Sequence, residues 1–107
     1  MKVKLAAYPK DIERGMIVRC KGTYPYEAAI DFLVCESYDT AVGYTLMVAS
    51  GYKAGLRFVI LPKESRPTTN SGYAISTEWL IANWTKWGYM DCPVEDVWVV
   101  EKSTPLL

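Results

Sequence analysis

The sequence predicts an α+β fold that is mainly β, with five antiparallel strands and one helix placed before the last of them. Three observations carry that expectation. Apolar and polar residues alternate in short runs between Gly and Pro punctuation. One segment, after residue 76, switches to helical spacing. The last apolar run, Val97-Trp98-Val99-Val100, has strong β propensity. The chain has 107 residues, half of them hydrophobic, which suits a single domain over 1–107 with one core and excludes a disordered tail.

The elements follow in order. Met16 to Lys21 places Met16, Val18 and Cys20 on one side and Ile17, Arg19 and Lys21 on the other, a half-buried strand bracketed by Gly15 and Gly22. Ala29 to Glu36 does the same, with Ile30, Phe32 and Val34 on one face and Asp31, Leu33 and Cys35 on the other, and Tyr38 to Gly43 reads as a connecting turn. Tyr44 to Ser50 and Leu56 to Leu61 flank Gly51-Tyr52-Lys53-Ala54-Gly55, a hairpin signal, and Pro62 ends that ladder because it has no amide to donate. Pro62 to Tyr73 is polar and turn-rich, so a mobile surface loop is expected there. Ser76 or Thr77 can cap a helix whose first turn holds Glu78 and whose end is marked by Gly88. On that helix Leu80, Trp84 and Trp87, with Ile81 at the margin, form the buried stripe. Val94 to Glu101 is the last strand. This order fits an SH3-like, partly open barrel. The helix is longer than the single turn usual there, so a curved antiparallel sheet with one helix across its face is the alternative. Met1 to Lys10 and Ser103 to Leu107 carry no signal that assigns them.

Composition narrows the function. Without histidine the chain has no Ser-His-Asp, Cys-His or His-anchored zinc chemistry. Twelve basic residues balance twelve acidic ones, against the basic excess of a non-specific nucleic-acid binder. Cys20, Cys35 and Cys92 are odd in number and lack C-x-x-C spacing, so three reduced thiols are expected. No apolar leader of 7 to 15 residues opens the sequence and no run nears the ~20 apolar residues of a membrane span, so a cytoplasmic protein without membrane contact is expected. The acidic neighbours Glu95-Asp96 and the pair Glu27/Asp31 have no nucleophile beside them. Cys20, between Arg19 and Lys21, is the best nucleophile available, yet its parity turns it inward. No catalytic residue, cofactor or metal ligand is expected, and composition favours binding over catalysis.

Candidate contacts fall in two groups. Trp79 points about 80° to 100° away from the buried stripe, on the side that also carries Asn83 and Lys86. It is equally well read as covered by the polar loop or as an anchor for a protein partner. Tyr52 and Lys53 sit in the expected hairpin, whereas Tyr24 and Tyr26, beside Pro25, are better read as packing on the rim. The acidic residues Glu27, Asp31, Glu36 and Asp39 make the second group.

Several phrases carry a resemblance: Arg14-Gly15, Arg19-Cys20-Lys21-Gly22, Tyr24-Pro25-Tyr26-Glu27, Ser50-Gly51-Tyr52-Lys53-Ala54-Gly55-Leu56, Leu61-Pro62-Lys63-Glu64-Ser65 and Ser76-Thr77-Glu78-Trp79-Leu80, continuing to Asn83-Trp84 and Trp87. Over roughly Lys10 to Glu101 the chain resembles small immunity proteins of bacterial polymorphic-toxin and contact-dependent growth inhibition systems. The resemblance implies a non-enzymatic antitoxin that binds and neutralises a cognate toxin domain, such domains often being nucleases. Immunity proteins against nucleases are often strongly acidic, and this chain is neutral, which leaves a local acidic patch as the place for such mimicry. The partner-facing residues would then include Trp79, Asn83, Lys86, Tyr52 and Lys53, with Glu27, Asp31, Glu36 and Asp39 as a second patch. An SH3-like adaptor or a nucleic-acid-binding module is the alternative from another class.

Neutrality is itself a cancellation. Met1 to Gly22 holds six basic and two acidic residues, and Thr23 to Ser50 four acidic and no basic ones. Gly51 to Pro67 holds four basic and one acidic, and Thr68 to Leu107 two basic and five acidic. In a meander the basic first strand would lie beside acidic neighbours, so pairing between adjacent strands is expected.

Overall fold

Alternation along each strand decides which side is buried, and every strand buries the same side of one sheet. The computed structural model describes residues 2–23 and 28–101. It contains β1 (Lys2–Lys4), β2 (Ile17–Lys21), β3 (Ala29–Cys35), β4 (Val42–Val48), β5 (Arg57–Pro62), α1 (Thr77–Trp87) and β6 (Val97–Val100). All neighbours are antiparallel, in the order β1-β6-β2-β3-β4-β5. Six strands therefore replace the five expected. The extra one is Lys2-Val3-Lys4, too short to be recognised alone and held as a strand by β6, where Lys2 faces Val100 and Lys4 faces Trp98.

The sheet is open. Among the described residues β1 and β5 each have one strand neighbour, which corresponds to the curved-sheet alternative and not to a closed barrel. Val18, Cys20, Ile30, Phe32, Val34, Leu46, Val48, Val97 and Val99 point to one side and are buried there with Leu80 and Trp84 of α1, so the helix covers that face. Phe32 and Phe58 stack within it at 4.6 Å between centroids. The Trp84 indole Nε1–H donates to the Cys92 carbonyl at 2.7 Å, which satisfies its one polar atom inside the core.

The helix starts and stops where its sequence signals say. Ser76 is the N-cap and its hydroxyl accepts from the Trp79 amide at 3.2 Å; Gly88 is the C-cap. Leu80 and Trp84 are fully buried, while Ile81 and Trp87 are half-buried against the core. The hairpin between β4 and β5 turns through Gly51 at φ 70° and Gly55 at φ 93°, left-handed positions that favour glycine.

Three local expectations are corrected. β4 starts at Val42, inside the expected turn. Val94–Asp96 forms a 3-10 turn, so the last strand begins only at Val97. The polar stretch after Pro62 is stitched down and not a free loop. Lys63–Ser65 and Asn70–Gly72 are 3-10 turns, and Ser65 is fully buried with its hydroxyl on the Pro62 carbonyl. Arg66 ties the segment to its surroundings. Its guanidinium donates to the carbonyls of Val42 (2.7 Å), Gly72 (2.9 Å), Ser37 (2.9 Å) and Asp39 (3.2 Å), and it lies 5.3 and 5.5 Å from the ring centroids of Tyr44 and Tyr73.

Candidate protein-binding surface

A strand buried on one face presents every second residue on the other. Here that other face carries no covering layer among the described residues: Ile17, Arg19, Asp31, Leu33, Cys35, Thr45, Met47, Trp98 and Val100 are all half-buried, none fully. Register aligns its centre. Val100 faces Ile17, Ile17 faces Leu33 and Leu33 faces Met47, so one apolar row crosses four strands.

One residue pair nearer the β4–β5 hairpin, the next row is polar and aromatic. Lys4 faces Trp98, Trp98 faces Arg19 and Arg19 faces Asp31. Lys2 and Lys4 share a parity on β1, and each ammonium stands 4.6 Å from the centroid of the Trp98 ring. Arg19 meets Asp31 as a two-pronged pair, with Nε to Oδ1 at 2.7 Å and Nη2 to Oδ2 at 3.0 Å. That bond raises the already high Arg19 pKa. Lys4 also lies 3.9 Å from Asp96. Together Lys2, Lys4, Arg19, Lys21, Asp96 and Trp98 line an open depression at this end of the sheet.

The structure separates the residues nominated from the sequence. Tyr52 and Lys53 are in the β4–β5 hairpin, at the end of the sheet where Asp31 lies; Tyr52 is 68% exposed, and Lys53 stands 5.8 Å from its ring centroid. Asp31 is there because its carbonyl accepts from the Ala49 amide and its own amide donates to the Ser50 hydroxyl oxygen, beside the start of that hairpin. Glu36 and Asp39 lie beyond the other end of β3, about 17 Å or more away along an extended strand. Glu36 pairs with Arg14 at 3.1 Å, and the Asp39 carboxylate accepts from the Ala41 amide at 2.9 Å. The acidic residues thus form two separate, partly neutralised positions; Glu27 lies outside the described residues. Both pairings, Arg19 with Asp31 and Arg14 with Glu36, are the basic-to-acidic matches expected from the charge blocks.

Trp79, Asn83 and Lys86 belong to the helix layer, on the opposite side of the sheet from Asp31. Trp79 is half-buried, packed on the core and 6.4 Å from the Trp87 ring, and the Asn83 amide donates to the Trp79 carbonyl at 2.9 Å. Lys86 is exposed. Cys20 is buried, and burial, then the neighbouring Cys92, pushes its thiol pKa well up, which keeps it protonated and unreactive.

Sequence reasoning missed Trp98 as a surface residue. Its signal was its parity: Val97 and Val99 are buried, so Trp98 between them faces out.

An open sheet face, apolar along its middle and charged at one end, has the make-up of a protein-contact surface. The model of the immunity protein 45 family (Imm45) matches residues 5–99, and the chain belongs to that family. No curated protein and no solved structure matches it. No helix among the described residues is long and apolar enough to cross a membrane.

Proposed function

We propose that this protein is a non-enzymatic, single-domain cytoplasmic immunity protein of a polymorphic-toxin or contact-dependent inhibition system, and that it neutralises a cognate toxin domain by binding it. The observation that carries the reading is the family match across residues 5–99. Burial of Cys20 supports the non-enzymatic part, because it withdraws the best nucleophile the sequence offers. The target is a toxin, a nuclease or another enzyme, whose working surface a bound 12.1 kDa protein occludes. Of the nominated contacts, the proposal centres on Tyr52, Lys53 and Asp31, which share one end of the sheet. Trp79, Asn83, Lys86, Glu36 and Asp39 take a secondary place, because the helix layer is on the other side and Glu36 and Asp39 are at the far end.

The test is co-expression with the toxin domain encoded beside this protein. The expected outcome is restored growth and recovery of the two chains as one complex. Unchanged toxicity together with separate elution refutes the reading.

A further inference from the structure

We propose that the open sheet face around Trp98 is the docking surface, and that it receives an acidic segment of the partner protein, with Asp or Glu side chains meeting the Lys2, Lys4 and Lys21 ammonium groups. The inference rests on the reading of the partner as a toxin domain and adds to it the chemistry of the contact.

The argument starts from charge. Among the described residues, four cations and one carboxylate, Asp96, line the depression, and Asp31 is paired with one of those cations, Arg19. Asp31 already occupies Arg19 through both oxygens, and Lys4 donates one proton to the Glu95 carbonyl and stands 3.9 Å from Asp96, with two further protons to give. Lys2 and Lys21 are exposed, and neither lies within 4 Å of a carboxylate oxygen in the described ion pairs. A carboxylate arriving here gains lysine partners without breaking the Arg19–Asp31 pair. Trp98 adds a flat aromatic surface held in place by its strand, the kind of residue on which interfaces concentrate their affinity. Its two flanking lysines would be drawn toward an incoming acid while their stems stay on the ring.

The neighbouring row decides between occupants. Val100, Ile17, Leu33 and Met47 continue the surface as an apolar strip, which matches the apolar centre and charged rim of a protein contact and offers nothing to a phosphate backbone. A second copy of this chain fits poorly, since a two-fold contact centred on Trp98 sets Lys2, Lys4 and Lys21 against their own images.

The experiment uses the full-length protein and the purified toxin domain encoded beside it, inactivated by mutation. The variant is Lys2→Glu/Lys21→Glu, both at exposed positions where folding should be unaffected, which circular dichroism and the urea midpoint verify. Trp98→Ala is the second variant, and Lys63→Glu, an exposed position after β5 outside the nominated contacts, is the control. Binding should weaken about tenfold or more in the double reversal, mainly through a slower, less salt-dependent association. Trp98→Ala should also weaken it about tenfold or more, with little change in salt dependence. Lys63→Glu should stay within about twofold. Three results overturn the inference. The first is wild-type binding of the toxin with the double reversal unchanged, which leaves the immunity reading intact. The second is tighter binding of a 20-nucleotide RNA or DNA than of the toxin, abolished by the reversal. The third is a dimer of the free protein that the reversal dissociates. If the wild-type protein binds no toxin in any form, the immunity reading itself fails, which is a separate and distinguishable result.

Discussion

Replacing Arg66 by alanine tests whether the segment after β5 is held by one side chain. Arg66 donates to four carbonyls from three chain segments: Ser37 and Asp39 after β3, Val42 at the start of β4, and Gly72 in its own loop. Three of these bonds are 2.9 Å or shorter. A hydrogen bond contributes about 1 kcal/mol net, with more for a charged donor. Because Arg66 is only half-buried, water can replace part of what is lost, so the lower value applies. Three bonds then give about 3 kcal/mol. Contacts with Tyr44 and Tyr73 add about 0.5 kcal/mol at an exposed site. The expected loss is about 3.5 kcal/mol, or a fall in Tm of roughly 15 °C for a domain of this size. Urea unfolding followed by tryptophan fluorescence measures it, with an unchanged m-value showing that the denatured state is not altered. Arg66→Lys is the informative companion. It keeps the charge but has one compact head in place of a planar fork, so it should recover less than half of the loss. A loss below about 1 kcal/mol for Arg66→Ala, or full recovery by lysine, would show that the four carbonyls are equally well served by water and that packing alone holds this segment.

Two further outcomes follow from the core. A methyl group at Gly88 would stand 2.4 Å from Cδ2 and Cε3 of Trp84, and the Gly88 backbone, at φ −90°, is open to any residue, so Gly88→Ala acts by collision alone. The ring must shift and loosen its bond to Cys92, at a cost of about 2 kcal/mol; a urea midpoint within error of wild type would contradict this. The second outcome concerns pH. Burial holds the Cys20 thiol protonated above its ordinary value of 9.0, so above that pH the unfolded chain loses a proton that the folded chain keeps. Stability is therefore full below pH 9 and falls as pH rises beyond it, with a limiting slope of about 1.4 kcal/mol per pH unit for one proton. Urea titrations between pH 8 and 10 should show the decline, and Cys20→Ala should make it shallower, leaving the part due to Cys35, whose thiol pKa burial also raises. The same slope in both proteins would remove Cys20 as its source.

How far the sequence could be read depended on the range of the interactions concerned. β2, β3 and β5 and the helix were legible within a residue or two because their signals are local: alternation, the glycines of the hairpin, Ser76 before the helix and Gly88 after it. β1 was not, since three residues, two of them lysine, have no strand signal until β6 pairs with them. The loop after Pro62 looked free because the bonds that fix it run from Arg66 to residues 24 to 29 positions away. The site suffered the same way. Trp79 drew attention as an aromatic on a polar helical face, but a half-buried position on the core depends on what packs beside it. Asp31 and Glu36 were visible as acids, and the charge blocks announced pairing between basic and acidic segments, though not which residues would meet or that β3 would set these two at opposite ends of the sheet.

Alternation has a consequence for how such a protein can diverge. On β2, Val18 and Cys20 hold the core while Ile17, Arg19 and Lys21 face outward; on β6, Val97 and Val99 hold it while Trp98 and Val100 face out. Genetic change at the outward positions rewrites what the molecule meets and leaves the interior packing as it was. Inheritance of the scaffold and inheritance of its preferences are carried by interleaved residues of the same strands. A lineage can therefore remodel that outward face by single steps, each passing through a folded intermediate.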